Sequence, residues 1–366
     1  MNSWTRRDFL NMSALTAVGA FLPKFTSAEE TNYGFESLPP LRETAAKKGI
    51  LFGAALEPEI LRKDRLFADA VSKECNLIVA EGATKWEALH PTPDTWNFSG
   101  GDALYDFALR NGMKMRGHTL IWEAAFPDWA KEALKEGRGE ALMEEYIHTV
   151  MSHYHGKFVA WDVVNEAVEP RDGRKDFLRN TPWLQALGPT YIERAFRLAA
   201  EADPNAMLVY NDFGEELYKD RADQILTVLR TLKDKNVPIH ALGLQAHLEA
   251  DKPLLPLEKF YADVKKLGIE ILITELDVWD PSWSFDIAAR DKRVADRTRD
   301  FLDIVINVAK PKQILTWGLS DRYSWLSSSQ WNDNNPLGRH ARGLPLDDNM
   351  RRTPMWFALH ELLSKD

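Results

Sequence analysis

Two glutamates in this chain each end a run of apolar residues, and both are placed to do acid–base or nucleophilic chemistry. Glu166 follows the run that starts at Ala160, and Glu275 follows the run that starts at Ile271. Such runs are typical of parallel strands that are buried on both faces. A carboxyl group at the end of a buried strand is costly to remove from water unless it is paired or used. Two of them at one mouth of a barrel suggest the acid and the nucleophile that cleave a glycosidic bond.

Polar and aromatic residues follow most of the other apolar runs as well. No single one is specific, because a histidine at a strand end is often a structural group and a tryptophan is often part of the core. Seven successive runs that all end in such residues favour a site built from several strands. These residues are Glu81, Lys85 and Trp86, then His118 and Trp122, Asn165 and Glu166, Asn211 and Asp212, Gln245 and His247, Glu275 and Asp277, and finally Trp317 and Trp325.

The strand patterns alternate with helical patterns along the chain. Strands are predicted at 50–54, 77–80, 113–118, 160–165, 207–211, 241–245, 270–274 and 313–317, with helices at 101–111, 191–202, 220–235, 257–267 and 287–308. This repeat predicts a single TIM (β/α)8 barrel of the α/β class, whose site lies at the carboxyl ends of the strands. A doubly wound sheet is the structural alternative. It would need a glycine-rich phosphate-binding turn after its first strand, and residues 52–56 do not form one.

Composition narrows the class of protein. The chain has 366 residues, 45% of them hydrophobic, and a formal net charge of −9. This acidic balance argues against nucleic acid and against an anionic membrane as partners. The chain has 13 tryptophans, a number that fits a large core, and about half of its aromatic rings are expected to be surfaces on which sugar rings pack. Cys75 is the only cysteine, so no intramolecular disulfide can form.

The first residues of the chain have the features of an export signal. Arg6 and Arg7 form a twin-arginine pattern, a short apolar run follows over residues 12–22, and residues 26–28 offer a cleavage site with small side chains. Residues 1–28 are therefore predicted to be a cleaved twin-arginine signal that delivers the protein to the periplasm or the outside of the cell. Residues 29–366 are predicted to be one catalytic barrel, because no linker or charge block divides them.

Eight segments of the chain, taken in order, resemble glycoside hydrolase family 10, the retaining endo-1,4-β-xylanases. They are residues 81–86, 116–122, 161–166, 210–212, 243–247, 273–277, 316–321 and 324–325. The resemblance implies the barrel fold, xylan or a xylo-oligosaccharide as the substrate, and neither a cofactor nor a metal ion. Length and charge do not settle the oligomeric state, for which a monomer is the default expectation.

The resemblance also implies roles for the acidic residues. Glu166 would be the general acid/base and Glu275 the nucleophile, in a retaining mechanism with the two carboxyl groups about 5–5.5 Å apart. His247 would hydrogen-bond the nucleophile and would itself be held by Asp277, which fixes its tautomer.

Sugar contacts are implied for the remaining site residues. Asn165 would bind the 2-hydroxyl of the sugar being cleaved, Lys85 and His118 would bind near its 3-hydroxyl, and Glu81 would reach the next sugar. Further contacts with the substrate would come from Trp86, Trp122, Asn211, Gln245, Trp317 and Trp325. Crowding by Trp317 and Trp325 would favour xylose over glucose, because glucose carries an extra hydroxymethyl group.

The sequence departs from the family pattern at a few of the sugar-contact positions. Gly82 stands where the family usually has Asn, Glu123 to Ala125 replace a segment with His and Gln, Ala246 replaces Ser, and Leu326 replaces a basic residue. Most of these positions lie on the glycone side of the cleaved bond. We therefore expect changes in sugar binding more than in the reaction.

Three other functions fit the sequence less well. A metal-dependent barrel hydrolase would need clustered histidine and carboxylate ligands, and the sequence has no His-x-His pair on its first strand. A barrel that only binds sugar would be favoured by the loss of Glu166 or Glu275, and both are present. A β-glucanase or mannanase would share the two carboxylates, but residues 243–247 and 317–318 favour the xylanase.

Overall fold

The structure, a computed structural model, describes residues 38–282, 284, 286–327 and 340–365. Its strands are β1 (Leu51–Leu56), β2 (Leu77–Ala80), β3 (Lys114–Arg116), β4 (Ala160–Asn165), β5 (Met207–Asp212), β6 (Ala241–Leu244), β7 (His247–Glu249), β8 (Glu270–Trp279) and β9 (Gln313–Thr316). The first helices are α1 (Leu41–Ala46), α2 (Pro58–Lys63), α3 (Arg65–Glu74), α4 (Trp86–Leu89), α5 (Ser99–Arg110), α6 (Asp128–Lys135) and α7 (Gly139–His153). The later ones are α8 (Pro182–Leu187), α9 (Tyr191–Ala202), α10 (Lys219–Asp234), α11 (Glu258–Lys266), α12 (Ile287–Val308) and α13 (Pro354–Ser364).

Eight of the strands form one parallel barrel. Their order is β3-β2-β1-β9-β8-β6-β5-β4, so strands that follow each other among the eight are neighbours, and β9 pairs with β1. Parallel bridges from Gly117 to Trp161 and from Ile121 to Val164 join the end of β3 to β4 and complete the ring. The short strand β7 lies outside this order and pairs with β8.

The predicted (β/α)8 barrel is therefore confirmed. All eight predicted strands are present, with ends that differ by a few residues, and α12 has the predicted bounds. The largest differences are at β8, which continues to Trp279, and at β7, which the sequence did not predict. Both differences involve predicted site residues, because β7 begins at His247 and the extension of β8 contains Glu275 and Asp277.

Alternate residues of each strand face opposite sides of the barrel wall, as the pleat requires. Phe52, Ile78 and Leu208 face outward and belong to the large apolar cluster that also contains the inner faces of the helices. Inward-facing residues such as Val79 and Val209 form two smaller clusters inside the ring. Apolar side chains thus fill both sides of the wall, and polar side chains take over the inner positions only near the carboxyl ends.

Two predictions fall on residues that the structure does not describe. The export signal at residues 1–28 and the start of the predicted domain at Glu29 lie outside the described range, and both stay predictions. Among the described residues, none of the helices has the length and apolar character needed to cross a membrane.

Candidate active site

The centre of the site is a layer of polar side chains on the inner face of the barrel. Asn211 lies two residues after the inward-facing Val209 of β5, and Thr274 lies two residues after the inward-facing Leu272 of β8. The pleat therefore points both side chains into the ring. Gly243 on β6 lies between them, and a Cβ atom there would overlap the Asn211 amide. The glycine is required because the amide fills its side-chain space.

The Asn211 amide is fixed by hydrogen bonds at both ends. Its Oδ1 accepts from the Thr274 hydroxyl at 2.7 Å, and its Nδ2 donates to Glu275 Oε1 at 2.7 Å and to Asn165 Oδ1 at 2.9 Å. Asn211 is fully buried and does not line the cavity. Its position is that of a residue that holds the site residues in place, rather than the expected direct sugar contact.

Glu275 reaches the cavity through an irregularity in β8. Simple alternation after Thr274 would turn this side chain outward, but the pairing of β8 with β9 shifts register between Ile273 and Leu276. Shifts of this kind re-aim side chains next to active sites. Burial of the Glu275 carboxyl raises its pKa. A hydrogen bond from His247, the charge of the neighbouring His118 and the Asn211 amide outweigh this effect and bring the pKa down to about 2.

His247 forms an ion pair with Glu275, in which the imidazole ring carries the positive charge. Its Nε2 lies 3.2 Å from Glu275 Oε2, and its Nδ1 lies 2.9 Å from Asp277 Oδ1. β7 pairs with β8 so that His247 is opposite Asp277, which explains the second contact. Burial lowers the pKa of His247, but Asp277 and Glu275 raise it to about 10. The imidazolium therefore donates from both nitrogens. The structure has both hydrogen bonds that the resemblance implies.

Glu166 is placed by its backbone. It directly follows β4 with φ of 58°, in the left-handed region that side chains other than glycine seldom adopt. Its N–H donates to the Asn211 carbonyl at 2.8 Å, and its own carbonyl accepts from Arg179 Nε at 2.8 Å. The two hydrogen bonds hold a conformation that the backbone alone disfavours. The Glu166 side chain is thereby turned into the cavity.

Hydrogen bonds connect the two carboxylates across the site. Gln245 Nε2 donates to Glu166 Oε1 at 2.8 Å and to Asn165 Oδ1 at 3.3 Å, and Asn211 continues the chain to Glu275. The other Glu166 oxygen accepts from Trp122 Nε1 at 2.9 Å. Because Asn165 Oδ1 already has two donors, its amide nitrogen is the part that faces a ligand. The two carboxyl groups are thus held in a defined relation to each other.

The cavity between them contains most of the predicted site residues. Its lining consists of Lys85, His118, Trp122, Asn165, Glu166, Gln245, His247, Glu275, Trp317 and Trp325. Lys85 Nζ lies 4.9 Å from the centre of the Trp122 ring and 5.5 Å from that of Trp317. Trp325 Nε1 donates to Asp277 Oδ2 at 2.6 Å, so the aspartate orients this tryptophan as well as the histidine. Aromatic faces and polar groups together suit a sugar ring.

Glu81, Trp86 and Asp277 do not line the cavity. Asp277 lies behind His247 as expected. Trp86 is 3% exposed and stacks on Tyr146 with ring centres 3.5 Å apart, so it packs in the core below the loop and makes no wall of the cavity. The substrate contact expected of Trp86 is not supported by this position. Glu81 is half-buried near Lys85, and its role stays a prediction.

Sequence reasoning missed the residues that support the site from below. The Asp162 carboxylate lies 2.9 Å from His118 Nδ1 and also accepts a hydrogen bond from Arg116, and both Asp162 and Arg116 are buried. Arg179 Nη1 lies 3.3 Å from Glu123 Oε1 in addition to its bond to the Glu166 backbone. The sequence does contain one sign of this support: Asp162 is a charged residue inside an apolar strand run, and a buried charge of this kind must be paired with another group.

Within the described part of the chain, no three or more histidine, cysteine, aspartate or glutamate side chains are arranged to hold a metal ion. The chemistry that this geometry offers is that of two carboxyl groups. One is ionised beside a cation, and the other accepts hydrogen bonds from neutral donors. This is the arrangement of a barrel glycoside hydrolase.

Comparison with known proteins defines the family. A family model for glycosyl hydrolase family 10 matches residues 40–362. Endo-1,4-beta-xylanase B of Thermotoga neapolitana is 30% identical over 92% of this chain and 94% of its own length. Beta-1,4-xylanase of Dictyoglomus thermophilum is 36% identical over 71% of this chain and 75% of its own length. The structure of xylanase 10B from Thermotoga petrophila RKU-1 in complex with xylobiose superposes with a TM-score of 0.78, at 32% identity, covering 90% of this chain and 98% of that one.

The chain belongs to glycosyl hydrolase family 10.

The hydrogen bond from Asn211 gives a testable pH dependence. In Asn211→Ala the ionised form of Glu275 loses a donor, so the pKa of Glu275 should rise. Hydrogen bonds to charged groups contribute about 1.5–3 kcal/mol, and one pKa unit is about 1.4 kcal/mol. The acid limb of the kcat/KM profile on an aryl glycoside should therefore move up by about one pH unit or more. Asn205→Ala, at an exposed position, is the control. An unmoved limb in a folded Asn211→Ala protein would contradict the role given to this amide.

Proposed function

We propose that this protein is a retaining endo-1,4-β-xylanase that hydrolyses internal β-1,4-xylosidic bonds of xylan through a covalent glycosyl-enzyme intermediate. The observation that carries the proposal is the unequal pair of glutamates. Glu275 is held ionised by His247, while the two oxygens of Glu166 accept hydrogen bonds from the neutral donors Trp122 and Gln245. Retaining hydrolysis needs this inequality, because one carboxyl group attacks and the other transfers a proton.

In the first half of the reaction, Glu275 attacks the anomeric carbon of the bound sugar. Its low pKa keeps it ionised at any pH near neutrality, so a nucleophile is always available. Glu166 gives its proton to the oxygen of the leaving sugar, which avoids the expulsion of an unstable alkoxide. Atoms and charge balance: the Glu275–carbon bond forms, the glycosidic bond breaks, and the proton stays on the departing hydroxyl.

In the second half, water replaces the leaving sugar. Glu166 now accepts a proton from this water, which attacks the anomeric carbon and releases Glu275 as a carboxylate. Two inversions at one carbon give a product with the starting β-configuration. The imidazolium of His247 stabilises the carboxylate that reappears, and it is in place throughout because Asp277 holds its other nitrogen at 2.9 Å.

The cavity residues supply the contacts with the cleaved sugar. The amide nitrogen of Asn165 binds the 2-hydroxyl, and Lys85 and His118 bind near the 3-hydroxyl. Trp317 and Trp325 cover the ring on the side where glucose would carry its hydroxymethyl group. A steric preference for xylose of this kind is worth about 1–3 kcal/mol.

The function can be tested on the unmodified protein. We expect linear β-1,4-xylan to be cut into oligosaccharides of mixed length, with cellulose and β-mannan cut far more slowly. The reducing ends released should be β-anomers when they first form, as followed by proton NMR in real time. A preference for cellulose or mannan would favour the β-glucanase or mannanase alternative, and initial α-anomers would exclude a retaining mechanism.

The role of the nucleophile can be tested with Glu275→Ala. We expect kcat on an aryl xyloside to fall by more than about 10³-fold, because the attacking group is gone. Azide should restore turnover and give an α-glycosyl azide, since the small anion fits the space of the lost carboxylate and inverts the carbon once. Glu270→Ala, which removes an exposed carboxylate from the other end of β8, should change nothing.

Glu166→Ala is the counterpart to this variant. It should keep most of its kcat/KM on a substrate with an acidic phenol as leaving group, whose departure in the first half-reaction needs no proton, and lose kcat/KM on xylan. Equal losses on both substrates would contradict the acid role of Glu166. Binding of xylo-oligosaccharides without turnover by the unmodified protein would favour a barrel that only binds sugar.

We further propose that the protein is exported by the twin-arginine route and acts in the periplasm or outside the cell, where xylan is met. The proposal is supported by Arg6 and Arg7, by the apolar run that follows them, and by the small residues at 26–28.

Export can be tested by replacing both arginines with lysine, which keeps the charge but removes the guanidinium pair. We expect the doubly substituted Arg6→Lys/Arg7→Lys protein to stay in the cytoplasm, as measured by cell fractionation. Lys24→Ala should be exported normally and should start at Glu29 by mass spectrometry. Export of the double variant would contradict the proposal.

A further inference from the structure

The carboxyl end of β1 holds an acidic residue that the site described so far does not include. Glu57 directly follows β1 and precedes the first residue of α2. It makes no side-chain hydrogen bond to that helix, so it is not there as a helix cap. All other strands of the eight-stranded ring are followed by residues at or near the site. Glu57 gives the first strand the same arrangement.

The Glu57 carboxylate occupies the place of a side chain that Gly82 lacks. A Cβ atom built on Gly82 would lie 2.8 Å from Glu57 Oε1, which is closer than such contacts allow. The backbone of Gly82 also lowers the pKa of the Glu57 carboxyl. Gly82 is the position at which this sequence departs from the amide residue usual in its family. The amide is absent, and a carboxylate from a different strand fills its space.

Two site residues share the surroundings of Glu57. Burial raises the pKa of the Glu57 carboxyl, and Lys85, which lines the cavity, lowers it. Burial also raises the pKa of Glu81 to about 7, helped by the charge of Glu57 and opposed by Lys85. Glu57 and Glu81 therefore lie close enough to repel each other. Near neutral pH the pair holds a proton part of the time, so it offers both a donor and an acceptor to a hydroxyl group.

The chemistry of the β-1,4 linkage indicates which sugar this pair meets. Lys85 and His118 are proposed to contact the cleaved sugar near its 3-hydroxyl. Carbon 4 is the next ring atom, and its oxygen carries the neighbouring sugar on the glycone side. Glu57 and Glu81 both interact with the charge of Lys85, and on this ground they are assigned to the side of that neighbouring sugar.

We propose that Glu57 is a specificity-determining residue that, together with Glu81, hydrogen-bonds the neutral xylose next to the cleaved one on its glycone side. The inference rests on the proposed xylanase function. In this proposal Glu57 makes the sugar contact that a side chain at position 82 would otherwise make. The rate of hydrolysis therefore depends on whether that second sugar is present.

The test compares two substrates with the same leaving group. 2,4-Dinitrophenyl β-xyloside fills only the position of the cleaved sugar, and the β-xylobioside adds the neighbouring one. For Glu57→Ala we expect kcat/KM on the xylobioside to fall about tenfold, as for the loss of one charged hydrogen-bond partner. On the xyloside it should change less than about twofold, because this substrate does not reach Glu57.

The control is Glu59→Ala, which removes an exposed carboxylate from the first turn of the same helix. It should leave both rates unchanged. A thermal melt of each variant checks that the fold is intact. The double variant Glu57→Ala/Gly82→Asn returns a polar side chain to the same space, because Gly82 is not in the left-handed region and tolerates a side chain once the carboxylate is gone. Part of the tenfold loss should be recovered.

The outcomes separate this inference from the function on which it rests. If the wild-type protein hydrolyses neither aryl glycoside, the proposed function fails and the inference falls with it. If the wild-type protein hydrolyses both, but Glu57→Ala leaves their ratio unchanged or lowers both rates equally, the inference alone is overturned. A selective loss on the xylobioside with partial recovery in the double variant supports it.

Discussion

An ionised carboxylate held away from water is the constraint on which the rest of this site depends. Glu275 is 5% exposed, and burial alone would keep it protonated and unable to attack. The cation of His247 and the amide of Asn211 offset that cost, and both need support of their own. Asp277 holds the imidazolium, and Gly243 leaves the space for the amide. Keeping this one carboxylate ionised thus requires particular residues on β5, β6, β7 and β8.

The second carboxyl group is positioned by different means, because it has a different task. Glu166 must be able to hold a proton and to release it, and its two oxygens accept hydrogen bonds from the neutral side chains of Trp122 and Gln245. Its direction comes instead from an unfavourable backbone conformation that the Asn211 carbonyl and the Arg179 guanidinium hold in place. Electrostatics therefore controls the nucleophile, whereas geometry controls the acid. The barrel makes both possible because it brings the ends of β4 and β8 to one face.

The positions at which this sequence differs from its family lie around these two groups rather than at them. Glu123 is joined to Arg179, and so adds a charge next to the support of Glu166. Gly82 leaves the space that the Glu57 carboxylate fills. The reaction tolerates such changes because the hydrogen bonds that position the carboxylates come from the inner layer of the barrel, while the outer loops determine which chain of sugars can approach.

The sequence by itself determined the eight strands, their alternation with helices and the two glutamates, because these depend on local periodicity and on the type of residue at each strand end. It could not show that Trp86 packs in the core or that Asn211 faces another side chain rather than the sugar, since an aromatic or amide residue at a strand end fits either place. Only the tertiary structure decided that the register shift in β8 turns Glu275 inward and that Glu57 meets Gly82. Both facts arise from contacts between different strands, which no local pattern in the chain contains.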